Sequence, residues 1–142
     1  MAISATRATV WQPIHGILAA YPLACFTGAL LTDVAYANSA NMQWANFSVW
    51  LITAGVITGL LAALAGIADA LAHRGQRRRK RSAWHNLATI VMLVLAVING
   101  FIHSRDAWTS VVPTGLVLSA LTAMLALVTA WSGYALERET TR

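Results

Sequence analysis

The side chains able to do chemistry here are few: four histidines, His15, His73, His85 and His103, and three aspartates, Asp33, Asp69 and Asp106, in 142 residues of which only 11% are charged. His15 and His85 form the best pair for a cofactor. Two neutral imidazoles on different helices, at similar depth, can ligate one haem b iron from opposite sides. His73 is a substitute ligand, and Arg74 or the run Arg77-Arg78-Arg79-Lys80-Arg81 could pair with haem propionates. Asp69 and His73 lie four residues apart, a helical spacing at which two side chains reach one metal ion, with His85 or His15 to complete the set. An intramembrane aspartate beside a histidine could also hand on a proton. Asp33, Asn99 and His103, with Asp106 nearby, form a second polar group. His103 has no histidine partner at its end, so a hydrogen bond to Asp33 or Asn99 is expected there instead of a second haem. There is no nucleophile motif, no phosphate-binding glycine loop and no pair of carboxylates on one turn, so no independent catalytic activity is expected.

Everything depends on the elements that carry these residues. Apolar residues make up 58% of the chain. The charges are clustered and leave long uncharged stretches, and ~20 apolar residues suffice to cross ~30 Å of hydrocarbon. Four spans are expected, at about residues 14–36, 47–72, 84–102 and 111–136. A charged start at Arg7, an apolar stretch and Ala35-Tyr36-Ala37 imitate a cleavable leader. The stretch is long for that, however, and three comparable spans follow, so it is read as the first span. Short connections make neighbouring helices antiparallel, which gives an all-α, integral membrane, up-down four-helix bundle as a single domain over 1–142.

Arg7, Arg74, the run from Arg77 to Arg81, Arg138 and Arg142 fall on one side, and Arg105 alone falls on the other. By the positive-inside rule the basic side, with both termini and the 73–83 loop, is cytoplasmic, and an inner (cytoplasmic) membrane is the expected location. The formal net charge of +5 suggests nucleic acid, but a run of five basic residues beside a membrane has anionic lipid headgroups as its counter-charge. His15, Asp69, His73 and His85 then share the cytoplasmic level, while Asp33, Asn99 and His103 share the outer one.

Lipid provides no hydrophobic drive between helices, so small and polar residues mark the packing faces. On the second span these are Gly55, Gly59, Ala62 and Gly66, read as intramolecular packing in preference to homodimerisation. On the third they are His85, Thr89, Met92, Asn99 and His103, and on the first His15, Pro22, Phe26, Ala29 and Asp33. On the fourth they are Ser119, Thr122, Thr129, Ser132 and Gly133. Trp11, Trp44, Trp84, Trp108 and Trp131 sit near span ends as an interfacial belt, with Trp50 deeper. Cys25 is the single cysteine and is read as a small buried residue.

From about Pro13 to Leu136 the chain resembles the bacterial membrane family catalogued as domain of unknown function 2231. The resemblance rests on four blocks. A His-led opening, His15-Gly16-Ile17-Leu18-Ala19-Ala20-Tyr21-Pro22, is followed by Asp33; a glycine-rich span closes on Gly66-x-x-Asp69; Trp84-His85-Asn86 opens the third span; and Trp131-Ser132-Gly133 is followed by Leu136. Family members commonly have His-Pro at the opening and a second histidine before the aromatic-Pro pair, where this chain has Gly16 and Ala20. The resemblance therefore carries over no site that needs two histidines from the first span, while His15 and His85 are unaffected. The resemblance implies a likeness to small b-type cytochromes, and some members occur beside Rieske-type domains or quinoprotein sugar dehydrogenases. The expected function is therefore a membrane subunit of a redox complex that passes electrons to quinone, alongside a membrane or periplasmic protein partner. The alternatives are a structural or assembly subunit without cofactor, and a small transporter or proton-relay protein using Asp33 and Asp69.

Overall fold

The computed structural model describes residues 11–72, 83–105 and 107–140. Four helices follow in order: α1 (Trp11–Ser39), α2 (Met42–Ala72), α3 (Ala83–His103) and α4 (Thr114–Thr140), with a 3₁₀ turn, Ala107–Ser110, before α4. All four are long and apolar enough to cross a membrane. The helices overrun the expected spans at several ends because polar residues such as Asn38 and Gln43 continue the helical hydrogen bonding beyond the apolar stretch.

The α1–α2 connection shows how local chemistry stops one helix and starts the next. Ala40 takes a left-handed backbone (φ 50°) and donates its N–H to the Tyr36 carbonyl at 2.7 Å, which closes α1. Asn41 then caps α2: its side-chain Oδ1 accepts from the Gln43 N–H at 3.0 Å, and its carbonyl accepts from the Trp44 N–H.

Helix α1 packs against α2 and α4, and α3 against α2 and α4, so α1 and α3 occupy one diagonal of the bundle. The core is layered. In the middle, Phe26, Met92, Leu93, Ala96 and Ala126 form an apolar block. Nearer the Arg105 end, Tyr36, Ala45 and Val111 form a second, smaller one. Small residues allow this closeness. A Cβ at Gly55 would come within 2.5 Å of the Phe26 ring, and one at Gly59 within 2.7 Å of Leu93 and 3.5 Å of Pro22, so both glycines of α2 are packing positions within the chain. Gly66 is half-buried on the same helix. Outward, the bundle is apolar: Leu31, Trp50, Leu64, Ile90, Phe101 and Val128 are all exposed, the arrangement of a surface solvated by lipid. Trp44, Trp84, Trp108 and Trp131 lie exposed near the helix ends, and Cys25 is buried in α1.

Candidate functional site, a buried Asp–His pair

Four polar side chains converge at the Arg105 end, between the two apolar blocks. Asp33 comes from α1, Asn99 and His103 from α3 and Ser119 from α4. None is more than 5% exposed, and Asp33 is wholly buried. Asp33 lies six residues before the end of α1, or about 9 Å along the axis at a rise of ~1.5 Å per residue. A carboxylate at such a position must be satisfied by the protein, because the surrounding hydrocarbon offers nothing.

Two bonds satisfy it. His103 Nε2 lies 2.9 Å from Asp33 Oδ1. The Ser119 hydroxyl donates to Asp33 Oδ2 at 2.5 Å, a length at the short end of charge-assisted O–H···O⁻ bonds. Asn99 Nδ2 in turn donates to Ser119 Oγ at 2.8 Å. His103 Nδ1 lies 3.0 Å from the Asn99 backbone carbonyl, one turn back in the same helix.

These contacts fix the proton inventory. A carbonyl only accepts, so Nδ1 of His103 carries a hydrogen. Ser119 has a single hydrogen and gives it to Oδ2, so one proton remains to be placed between Nε2 and Oδ1. It belongs either to an imidazolium facing a carboxylate or to a protonated Asp33 facing a neutral ring. Both forms are neutral overall. Without that proton, two lone pairs would oppose each other across 2.9 Å.

Gly115 completes the setting. A Cβ there would lie 2.8 Å from His103 Cε1 and 2.8 Å from the Ser110 carbonyl, so the α4 backbone can approach the imidazole only as glycine. His103 also borders a groove of about 360 Å³ between the start of α2 and the end of α3, together with Asn46, Arg105 and Ser110 among others, while its imidazole is wholly buried. Toward the opposite end, the buried hydroxyls of Thr122 and Thr129 bond to carbonyls of their own helix, Leu118 and Ala126.

The structure thus brings Asp33, Asn99 and His103 together and adds Ser119. The sequence marks Ser119 as a packing residue of α4, and nothing in its spacing tells that its partner is the α1 carboxylate. Asp106 lies outside the described residues.

At the other end only part of the expected set can be placed. His73 and the basic run lie outside the described residues, as do the side chains of His15 and Asp69. The described His85 is half-buried, with Nδ1 2.9 Å from Ser132 Oγ and Cε1 against Gly133. Ser132 gives its own hydrogen to the Thr129 carbonyl at 3.0 Å, so the ring Nδ1 is the donor to Ser132. Among the described residues, no group of three or more His, Cys, Asp or Glu is placed to hold a metal ion.

No curated protein matches the chain, and no solved structure does. The family described as "Predicted membrane protein (DUF2231)" matches residues 11–140. Four membrane-length helices accord with that match, which covers nearly the whole chain, and the chain belongs to the DUF2231 family.

Proposed function

We propose that the protein is a proton-relay or proton-coupled transport protein whose working group is the Asp33–His103 pair. The single observation that carries this reading is the wholly buried Asp33 carboxylate, 2.9 Å from His103 Nε2 with one proton to share. An ionisable pair is expensive inside a membrane, and such pairs mark ion and proton pathways. The pair joins α1 to α3 across the diagonal of the bundle, so loss of its proton replaces attraction with repulsion between those two helices. Proton exchange and helix movement are thereby linked. The groove bordered by His103 and Arg105 is the side from which water would reach the wholly buried imidazole, along a route that opens as the two helices part. With the basic loop and termini in the cytoplasm of a bacterial inner membrane, as the positive-inside rule argues, that route opens outward. The Arg77 to Arg81 run then lies against anionic headgroups as anchorage.

The test is proton release after an alkaline pH jump, followed with a pH dye on purified protein in nanodiscs. The wild type should release more protons per chain than Asp33→Asn. Equal release would dismiss the reading and favour a structural or assembly subunit, in which the pair serves only as an interhelical tie.

The anchoring of His85 favours a second reading, a subunit of a membrane redox complex with one haem b. Ligating histidines are commonly held by a hydrogen bond from the ring nitrogen that does not bind the metal, and the bond from His85 Nδ1 to Ser132 fits that role. His15 and His85 would hold the iron from α1 and α3, with His73 as substitute, and a membrane or periplasmic partner would be the electron donor. Bound haem would supply one-electron transfer toward quinone, while the chain's own part is ligation, orientation and exclusion of water. A b-type α band in dithionite-reduced protein purified from its native membrane, lost in His85→Ala, is the expected outcome. Folded native-source protein without the band would eliminate this reading. Asp69 with His73 as a metal pair is the weaker variant, tested by metal content of the same preparation.

A further inference from the structure

The buried quartet leaves one atom unaccounted for. Asn99 is 1% exposed, yet its Oδ1 has no hydrogen-bond partner, whereas its Nδ2 is spent on Ser119. A buried acceptor left unpaired is costly, and such groups in folded proteins have a reason. We infer that Asn99 Oδ1 is the acceptor for a second-proton state of the site: at acidic pH the quartet binds a further proton on Asp33, and the Asn99 amide turns to receive the displaced hydrogen bond. This inference rests on the proposed proton-exchanging role of the Asp33–His103 pair.

The hydrogen count closes. In the resting state Asn99 donates to Ser119, Ser119 donates to Asp33 Oδ2, and the pair shares one proton. A hydronium gives its proton to the site, an O–H bond forms at Oδ2, and water is left behind. Oδ2 now donates to Ser119 Oγ. The Ser119 hydrogen swings away from Asp33, and a half-turn of the Asn99 amide, which preserves its shape, brings Oδ1 round to accept it. With Oδ2 protonated, His103 holds both ring hydrogens, one directed to the Asn99 carbonyl and one to Oδ1. Every link from Nε2 to Asn99 remains a donor–acceptor pair, reversed in direction along Asp33–Ser119–Asn99. Around Asp33, α3 presents His103; α4 presents Ser119; α2 presents the Ser48 hydroxyl to neighbouring Thr32 (2.7 Å); and Tyr36 lies one turn along α1, while Arg105, beyond the end of α3, lines the groove beside His103.

Infrared difference spectra of the full chain in nanodiscs test this in two steps. An alkaline step reports the shared proton through imidazole bands that Asp33→Asn abolishes, and silence there defeats the underlying reading. An acid step should raise a carboxylic-acid carbonyl band absent from Asp33→Asn, together with a shift of the Asn99 amide band. Asn99→Leu, shown to be folded by circular dichroism in the same nanodiscs, should lose the acid band. An alkaline signal with no acid band in the wild type, or an acid band undiminished in Asn99→Leu, would overturn the inference while leaving the single-proton site standing.

Discussion

Asp33 has two acceptor oxygens, and each is claimed by a different helix. This is why it can sit wholly buried: the imidazole shares a proton with one oxygen and the serine hydroxyl occupies the second. The role of Ser119 can be weighed against that of His103. Ser119→Ala leaves the pair intact but exposes Oδ2 and the Asn99 amide to an apolar void. Interhelical hydrogen bonds in membranes are worth ~0.6 kcal/mol on average, with a maximum of ~1.7 kcal/mol, and the stranded carboxylate oxygen places this one at the upper end. The expected loss is about 1–2 kcal/mol in reversible unfolding in mixed micelles, with proton release on the alkaline jump retained. A stability equal to the wild type would mean that Ser119 is not a needed partner. The sequence makes Asp33, Asn99 and His103 legible as a group because face and depth follow from residue spacing. It hides Ser119 in that role because spacing gives the face of α4 but not which neighbour it meets, and it hides the Asn99 backbone carbonyl because backbone acceptors carry no residue signature.

The helices act as rulers for this site, and their ends decide whether it assembles. Gly115 admits the His103 ring, while Gly55 and Gly59 let Phe26 and Leu93 reach the α2 backbone, holding the block beneath the pair closed. The glycine stripe of α2 is readable from spacing, but Gly115 is not, since a lone glycine near a helix start looks like a turn residue until the imidazole is seen against it. The end of α1 is set by Ala40, whose φ of 50° is the conformation that glycine adopts without strain. Left-handed backbone costs an ordinary residue ~1–2 kcal/mol. Ala40→Gly should therefore stabilise the α1–α2 turn by about 0.5–1 kcal/mol, less than the full strain because glycine also gains freedom in the unfolded chain. The same unfolding experiment measures it, and a destabilised Ala40→Gly would contradict the αL closure of α1.

Across the whole molecule, apolar side chains face outward and the polar ones that matter face inward, as expected of a chain solvated by lipid. Four helices of membrane length were legible from hydropathy alone because the charges cluster between the apolar stretches. The diagonal placement of α1 and α3 was not, because span order fixes alternation and not which helices meet across the core. The proposed orientation predicts that a cysteine at the Arg105 end is reached from outside. In a Cys25→Ala background, Arg105→Cys should react with a membrane-impermeant maleimide in intact spheroplasts, and Lys80→Cys only after lysis; the reverse pattern would invert the topology. The most direct test of the central claim is ¹⁵N NMR of His103 in sealed proteoliposomes of known protein orientation, in a chain whose other histidines, His15, His73 and His85, are replaced by Gln. The account predicts that Nδ1 stays protonated, that the Nε2 shift moves when the pH on the Arg105 side alone is changed, and that this response disappears in Asp33→Asn. An Nε2 shift indifferent to pH on that side, or unaffected by Asp33→Asn, would contradict it.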